Sequence, residues 1–249
     1  MLHSYVGQFR PDPSKRYESN RILTLQRNTD AFKSFLATLR ECGYHISYGI
    51  AFCPDYGVPQ NRKRLVLLAS RLGKINLIGP EYTPDNYMTV KQAIGGLPEL
   101  NAGEKSEGDS LHYCANLNKT NLQRIQSSKQ GGTWRDWEEI LQLSCHKKST
   151  GKTYPSVYGR MAWDLPSPTI TTQFYGYGNG RFGHPEQDRA ISIREGVILQ
   201  SFPISYKLVK EGTEIKTHVL GTHIGNAVPV QLGRAIGASI KKHLLEVMI

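Results

Sequence analysis

Apolar side chains recur at helical spacing from Phe32 to Leu39, which predicts an amphipathic helix near the start of the chain. Asn28 and Thr29 stand where residues that cap a helix are preferred, and Gly43 is placed to end it. The residues before position 28 are polar and basic and predict an extended lead-in or loop.

The period then changes from helical to alternating. Apolar and smaller or polar residues alternate from Ile46 to Phe52, which predicts a strand with one buried face. The apolar run Arg64–Ala69 is typical of a second, buried strand. A helix followed by a strand, a loop and a strand belongs to an α/β sheet.

The rest of the chain is irregular except near its end. Residues 96–190 are rich in Gly, Pro, Trp and Tyr with weak periodicity, which predicts a small, loop-rich second domain. Ser192 and Glu195 form a capping-box pattern ahead of a short helix. Residues 228–247 predict a terminal helix whose apolar residues lie four apart on one face: Leu232, Ile236, Ile240 and Leu244.

Charge and cysteine content narrow the classes of partner. Across 249 residues, 31 Lys and Arg face 21 Asp and Glu, a net charge of +10 that favours a polyanionic partner. A basic protein with no nucleic-acid role remains the alternative. The four cysteines form no Cys-x-x-Cys pair, so we predict neither a metal site nor disulfides. No apolar run is long enough to span a bilayer, and we expect a cytoplasmic protein.

Three separated segments carry the candidate chemistry. The first, YGVPQNRKR at 56–64, puts Gln60, Arg62 and Arg64 at alternate positions, so all three project to one side. Paired guanidinium groups suit phosphate or a base edge, although an exposed basic strand edge is the commoner explanation of the bare pattern. The others are MAWDLPSPTITT at 161–172, continued by GRFGHP at 180–185 and RAISIRE at 189–195, and GNAVP at 225–229.

Together, and in this order, these segments resemble the late motifs of the DNA cytosine-5 methyltransferases. The resemblance implies the C-terminal part of a Rossmann-like methyltransferase sheet plus a small loop-rich target-recognition domain. The predicted organisation is a lead-in of unclear role (1–27), the end of the α/β catalytic domain (28–95), the target-recognition domain (96–219) and a terminal segment with a helix (220–249).

The resemblance also implies roles for single residues. Arg62 and Arg64 are expected beside the flipped cytosine as catalytic residues, and Asn226 and Ala227 in the S-adenosyl-L-methionine site. A glycine turn with an early proline explains the 225–229 segment without a ligand, but it leaves Asn226 unexplained. The expected DNA-binding residues are Gln60, Thr171, Thr172, Arg181 and His184, although an ordinary surface loop remains the alternative for each of the last four.

Aromatic and basic residues in the middle region fit a DNA-reading surface, with about half of the aromatic side chains expected in the core. They are Trp134, Arg135, Trp137, His146, Lys147, Lys148, Tyr154, Tyr158 and Arg160. Cys53 precedes proline in the wrong order for the family's nucleophile and is expected to be a small buried residue.

The family's Pro-Cys-Gln and Glu-Asn-Val segments do not occur in these residues. We therefore expect the C-terminal half of a methyltransferase, inactive as an isolated chain and completed by a separate chain carrying the N-terminal half. The expected partners are that chain and duplex DNA, with association with the nucleoid and no membrane. A truncated remnant and a non-catalytic, sequence-specific DNA-binding module remain the alternatives.

Overall fold

The computed structural model describes residues 30–148, 151, 155–210 and 212–248. They form two compact units. The first consists of 30–52, 63–79 and 234–248, and the second of 53–62 and 80–233. These are units of packing, and the domain boundaries at 28, 96 and 220 stay a prediction.

The first unit begins with the predicted helix, α1 (Asp30–Glu41), which buries Leu36. Its expected cap at 28 and 29 lies outside the described residues. Gly43 follows with φ of +82°, the left-handed conformation that glycine adopts most readily at a helix end, as expected. On the other side of the turn, the Phe32 ring meets Tyr48 edge to face at 5.4 Å between centroids.

Two antiparallel strands, β1 (His45–Phe52) and β2 (Lys63–Ser70), form the sheet of the described residues. Their register pairs His45 with Ser70 and Phe52 with Lys63. The expected buried face of β1 is wrong: Ala51 is its buried residue, and Tyr48 is 36% exposed. A two-stranded sheet has too few neighbours to cover either face of a strand.

The predicted terminal helix is α7 (Val230–Val247); it begins in the second unit, and its residues from Arg234 onward belong to the first unit. Hydrogen bonds of serine hydroxyl groups connect the helix turns after Arg234 to other segments of the first unit. Ser239 Oγ accepts a hydrogen bond from the Ile78 amide at 2.9 Å, and Ser70 Oγ lies 2.7 Å from His243 Nε2. Within the expected apolar stripe Leu232 is buried, whereas Ile240 and Leu244 are 43% and 39% exposed.

The second unit contains short helices joined by long irregular segments, as the sequence predicted. They are α2 (Val90–Ile94), α3 (Lys119–Gln126), α4 (Ser144–Lys147), α5 (Ile193–Leu199) and α6 (Thr217–Asn226). Ser192 caps α5 in the predicted capping box: its side chain accepts from the Glu195 amide, and Glu195 accepts from the Ser192 amide. α6 was not predicted from the sequence.

The main core of the second unit gathers apolar side chains from three of these helices and from the irregular segments between them. Phe174 and Phe182 pack with residues of α2, α5 and α6, and all are nearly excluded from solvent. A Cβ at Gly196 would lie 2.1 Å from the Phe174 ring, so α5 can approach that ring this closely only with glycine at position 196. The α/β class is confirmed; the Rossmann-like assignment stays a prediction. No described helix has the length and apolarity needed to cross a bilayer.

Candidate functional site

The first motif segment as far as Arg62 lies in a tight loop at the start of the second unit. A single 3-10 turn, Cys53–Tyr56, buries Cys53 completely, as expected for a small structural cysteine. The Cys53 amide donates to the Arg62 carbonyl at 2.8 Å and closes the loop on itself. Gly57 has φ of +75°, and a Cβ there would lie 2.8 Å from the Tyr82 ring. These contacts therefore fix the backbone of the loop that carries Gln60 and Arg62.

The Arg62 guanidinium lies inside the protein, 4% exposed. Its Nη1 donates to the Ile170 carbonyl at 2.8 Å, and its Nη2 donates to the Gly225 carbonyl, also at 2.8 Å. Its Nε is buried without a hydrogen-bond partner among the described residues. One cation thus bridges the loop at 62, the end of the second motif segment and the beginning of the third.

Gln60 is fully buried beside Arg62. Its Oε1 accepts from the Ile170 amide at 2.9 Å and from Arg62 Nη1 at 3.3 Å. Its Nε2 donates to the Leu199 carbonyl and to Gln200 Oε1, each at 3.1 Å. All four hydrogen-bonding positions of this amide, two donors and two lone pairs, are used within the protein, so a contact with DNA would require the side chain to leave these partners.

The third motif segment packs directly against the second. A Cβ at Gly225 would lie 2.4 Å from the carbonyl carbon of Thr171 and 2.5 Å from the Thr172 nitrogen, which only glycine avoids. Asn226, the last residue of α6, is exposed, and Ala227 after it is half-buried. Thr171 is exposed and Thr172 half-buried. The residues expected to bind cofactor and those expected to bind DNA therefore lie on adjoining backbone.

A second polar cluster lies around the capped helix α5. Arg189, fully buried, donates from Nη1 and Nη2 to the two carboxylate oxygens of Glu195, both at 2.8 Å. Burial by itself would raise the pKa of Glu195, but the hydrogen bonds and charge of Arg189 outweigh it and the pKa is lowered. Glu195 is therefore an ionised carboxylate whose oxygens also complete the cap at Ser192.

His184 belongs to this cluster and is 2% exposed. Its Nδ1 accepts from the backbone amides of Glu186 and Gln187 at 3.2 and 2.9 Å, and its Nε2 lies 3.8 Å from Glu195 Oε1. Burial lowers the pKa of His184 to about 4, against the pull of Glu195 and with the help of Arg189. The ring is neutral near pH 7, and its placement differs from the exposed position expected of a DNA contact.

Arg181 is half-buried beside Gly159, where a Cβ would lie 2.9 Å from the arginine Cγ. Its Nε is buried without a partner within the described ranges. Arg64, at the start of β2 in the first unit, is also half-buried and donates to the Lys63 carbonyl at 3.2 Å. Of the expected DNA-binding residues, Thr171, Thr172 and Arg181 thus reach the surface in whole or in part.

The expected reading surface of the middle region is partly a core. Trp134, Trp137 and His146 are buried, with the Trp134 and His146 rings stacked at 4.3 Å between centroids. Arg160 is also buried. Its guanidinium group donates to the carbonyls of Ile125, Ser128, His184 and Gln187 and to the Asp188 carboxylate. Arg135, Lys147 and Lys148 are exposed, Tyr158 is half-buried, and Tyr154 lies outside the described residues.

Gln200 was not predicted from the sequence as a residue of the site. This glutamine follows α5, is fully buried, accepts from Gln60 and donates to the Ile224 carbonyl at 2.6 Å. A polar residue directly after the apolar run Val197–Leu199 was the available signal. No cluster of three or more His, Cys, Asp or Glu side chains suited to a metal ion occurs in the part of the chain that the structure describes.

The chain is similar to known methylases along most of its length. It is 51% identical over 239 residues to the Type II methylase M.HgiDII of Herpetosiphon aurantiacus, covering 96% of this chain and 67% of that protein. It is 32% identical over 200 residues to the Type II methyltransferase M1.HphI of Haemophilus parahaemolyticus, covering 80% of this chain. It is 29% identical over 296 residues to DNA (cytosine-5)-methyltransferase 3 of Arabidopsis thaliana, covering 97% of this chain.

The chain spans 67%, 49% and 20% of the lengths of these three relatives. Among solved structures, one described as a prophage-encoded DNA modification methyltransferase from E. coli has a similar fold. Its TM-score is 0.59 at 18% identity, and the match covers 86% of this chain and 65% of that one. These relatives do not favour the alternative of a non-catalytic module.

The family model described as C-5 cytosine-specific DNA methylase matches residues 18–242, which include all three motif segments. The chain therefore belongs to the C-5 cytosine-specific DNA methylase family.

Proposed function

We propose that this chain supplies the C-terminal, target-recognition half of a DNA cytosine-5 methyltransferase. The complete enzyme would transfer a methyl group from S-adenosyl-L-methionine to C5 of a flipped cytosine in duplex DNA. One observation carries this proposal: the Arg62 guanidinium joins Ile170 and Gly225, so that three motif segments meet at one cation through residues more than fifty positions apart. In this assignment β1 and β2 are the end of a Rossmann-like sheet, and residues 96–219 are the target-recognition domain.

The proposed roles combine the resemblance to the family with the exposure and the hydrogen bonds of each side chain. Arg64 holds the flipped cytosine, while Thr171, Thr172 and Arg181 contact the DNA. Gln60, Arg62 and His184 act indirectly, because their polar atoms hold neighbouring segments in place. The net charge of +10 supports association with a polyanion.

The end of α6 fits a cofactor contact. Asn226 is exposed, and its side chain makes no hydrogen bond within the described ranges, so its amide is available to a ligand. Gly225 and Arg62 fix the backbone that carries it. We propose that Asn226 and Ala227 bind S-adenosyl-L-methionine, which supplies the methyl group when bound.

The reaction also needs a cysteine thiolate that adds to C6 of the cytosine and leaves again when the C5 proton is removed. The Pro-Cys-Gln segment that carries it in the family is not among these 249 residues. We therefore propose a partner segment or chain that provides the nucleophile and completes the cofactor pocket, and we expect the isolated chain to transfer no methyl group.

Incorporation of labelled methyl groups into duplex DNA tests this assignment. The chain would be assayed alone and after co-expression with a neighbouring reading frame that encodes Pro-Cys-Gln and Glu-Asn-Val segments. We expect 5-methylcytosine from the complex only. Methylation by the purified chain alone would contradict the proposal that a partner supplies the nucleophile. An inactive complex that still binds DNA would contradict the catalytic assignment.

Arg64→Ala in the complex separates catalysis from binding. We expect turnover to fall about 100-fold, as for loss of one charged hydrogen bond in a transition state, with DNA affinity changed by less than about threefold. Arg71→Ala is the matched control, because Arg71 is an exposed arginine just beyond β2. Equal losses in turnover and DNA affinity for Arg64→Ala would assign Arg64 to the DNA backbone instead.

A further inference from the structure

Gln200 is a buried amide that connects segments distant in sequence. Its Oε1 accepts from Gln60 Nε2 at 3.1 Å, its Nε2 donates to the Ile224 carbonyl at 2.6 Å, and its own carbonyl accepts from the Val230 amide at 3.3 Å. The side chain has no exposed surface. A buried amide with both ends bonded is costly to disturb, because removing one partner leaves the other unpaired.

The direction of these hydrogen bonds is fixed from one end. The Ile170 amide can only donate, so it requires Gln60 Oε1 on its side and turns Gln60 Nε2 towards Gln200. That donor in turn requires Gln200 Oε1, which leaves Gln200 Nε2 facing the Ile224 carbonyl. A carboxylate at position 200 could satisfy Gln60 but would place an oxygen against the oxygen of Ile224.

This chain of hydrogen bonds, from the Ile170 amide through Gln60 and Gln200, ends at the last turn of α6. The final carbonyl groups of a helix have no partner within the helix. Here the Ile224 carbonyl accepts from Gln200 as well as from the capping amide of Ala227 at 3.2 Å, and the Gly225 carbonyl accepts from Arg62. Asn226 follows directly, so two buried side chains fix the backbone that presents it.

We propose that Gln200 is a positioning residue for methyl transfer, which holds the turn bearing Asn226 in register with the Gln60–Arg62 loop and the Ile170–Thr172 segment. This proposal rests on the proposed function, since Asn226 is assigned there to the cofactor. Gln200 itself contacts neither DNA nor cofactor. Its loss should weaken cofactor binding selectively.

Hydrogen exchange on the full chain tests whether Gln200 holds the turn at Asn226, and it does not require enzymatic activity. The variants are Gln200→Met, which keeps side-chain volume and removes both hydrogen bonds, and Gln200→Glu, which keeps only the acceptor. We expect at least tenfold faster amide exchange across residues 224–230 in Gln200→Met, more in Gln200→Glu, and no change in α3. Gln126→Leu, at an exposed glutamine, is the control. If Gln200→Met does not fold, the shorter amide of Gln200→Asn replaces it, with a smaller increase expected.

Unchanged exchange at 224–230 in a folded variant overturns the proposal. In the completed enzyme, we expect Gln200→Met to raise KM for S-adenosyl-L-methionine about tenfold, the effect of about 1.4 kcal/mol, with kcat and KM for DNA within about twofold. A fall in kcat alone would mark a merely structural residue and also overturn it. An inactive wild-type complex would contradict the proposed function, whereas the exchange result would still decide whether Gln200 holds the turn.

Discussion

The two compact units differ in how their order is maintained. The first contains the sheet and most of the longest described helix, yet Tyr48, Ile240 and Leu244 stay more than a third exposed. The second has short helices and long irregular segments, yet it buries several arginines with their partners. Regular secondary structure is therefore a poor guide to tight packing in this chain.

The arginines explain the order of the irregular unit. Arg160 alone donates to four backbone carbonyls, and Arg62 bridges two more. In sheets, strand partners satisfy such carbonyl groups, and in this unit long cationic side chains satisfy several of them. Since a buried guanidinium needs several acceptors at fixed positions, it selects one arrangement of the loops around it.

The strongest way to break this order is to neutralise the partner of Arg189. Glu195→Gln keeps the shape of the side chain but leaves a buried guanidinium without its counter-charge, at a cost of about 3–5 kcal/mol. Urea unfolding followed by tryptophan emission measures the loss, because Trp134, Trp137 and Trp163 all lie in the second unit. Glu138→Gln, at an exposed carboxylate, should be neutral. Similar urea midpoints for the two variants would refute the buried pair.

Acid should also weaken the second unit through His184. The pKa of His184 is about 4 in the folded protein, below its ordinary value of 6.5, so the unfolded state binds this proton more tightly. The stability is complete above pH 6.5 and falls by about 3 kcal/mol as the pH drops towards 4.

His184→Gln separates this effect from other acid-sensitive groups, because glutamine can still accept from the Glu186 and Gln187 amides but does not titrate. We expect a shallower fall in urea stability between pH 6.5 and 4 than in the wild type. Parallel curves for the two proteins would mean that His184 is protonated as easily in the folded state.

A smaller effect is expected at the best-buried position of β2. Leu68 is 6% exposed, and Leu68→Ala should cost about 2 kcal/mol, the low end for such a truncation because the sheet is thinly covered. Faster amide exchange in peptides of β1 and β2 would report it. An effect as large as that of Glu195→Gln would remove the contrast between the units.

The smallest effect is expected on the exposed face of α7. Leu244→Ser should cost only about 1 kcal/mol, because Leu244 is already 39% exposed. Leu68→Ser is the buried comparison and should be far more damaging. Thermal unfolding monitored by circular dichroism distinguishes them, and a large loss at Leu244 would show that this side chain is more deeply packed than its exposure indicates.

The elements whose signals are local could be predicted from the sequence. The spacing from Phe32 to Leu39 and the alternation from Ile46 to Phe52 specify α1 and β1, and the Ser192 and Glu195 pair specifies the start of α5. The ordered motif segments were sufficient to identify the family, because they are read as strings of residues. Each of these signals spans fewer than about fifteen neighbouring positions.

Which polar side chains face inward depends on how segments distant in the sequence pack together. Gln60, Arg62 and His184 are residue types common on DNA-binding surfaces, yet all three are buried. Gln60 and Arg62 bond to Ile170, more than one hundred residues away, and His184 accepts from nearby backbone amides. Gln200 carried almost no local signal, because its partners lie 140 and 24 residues away. A polar side chain serves solvent, ligand or backbone according to which groups surround it, and those groups come together only when the chain folds.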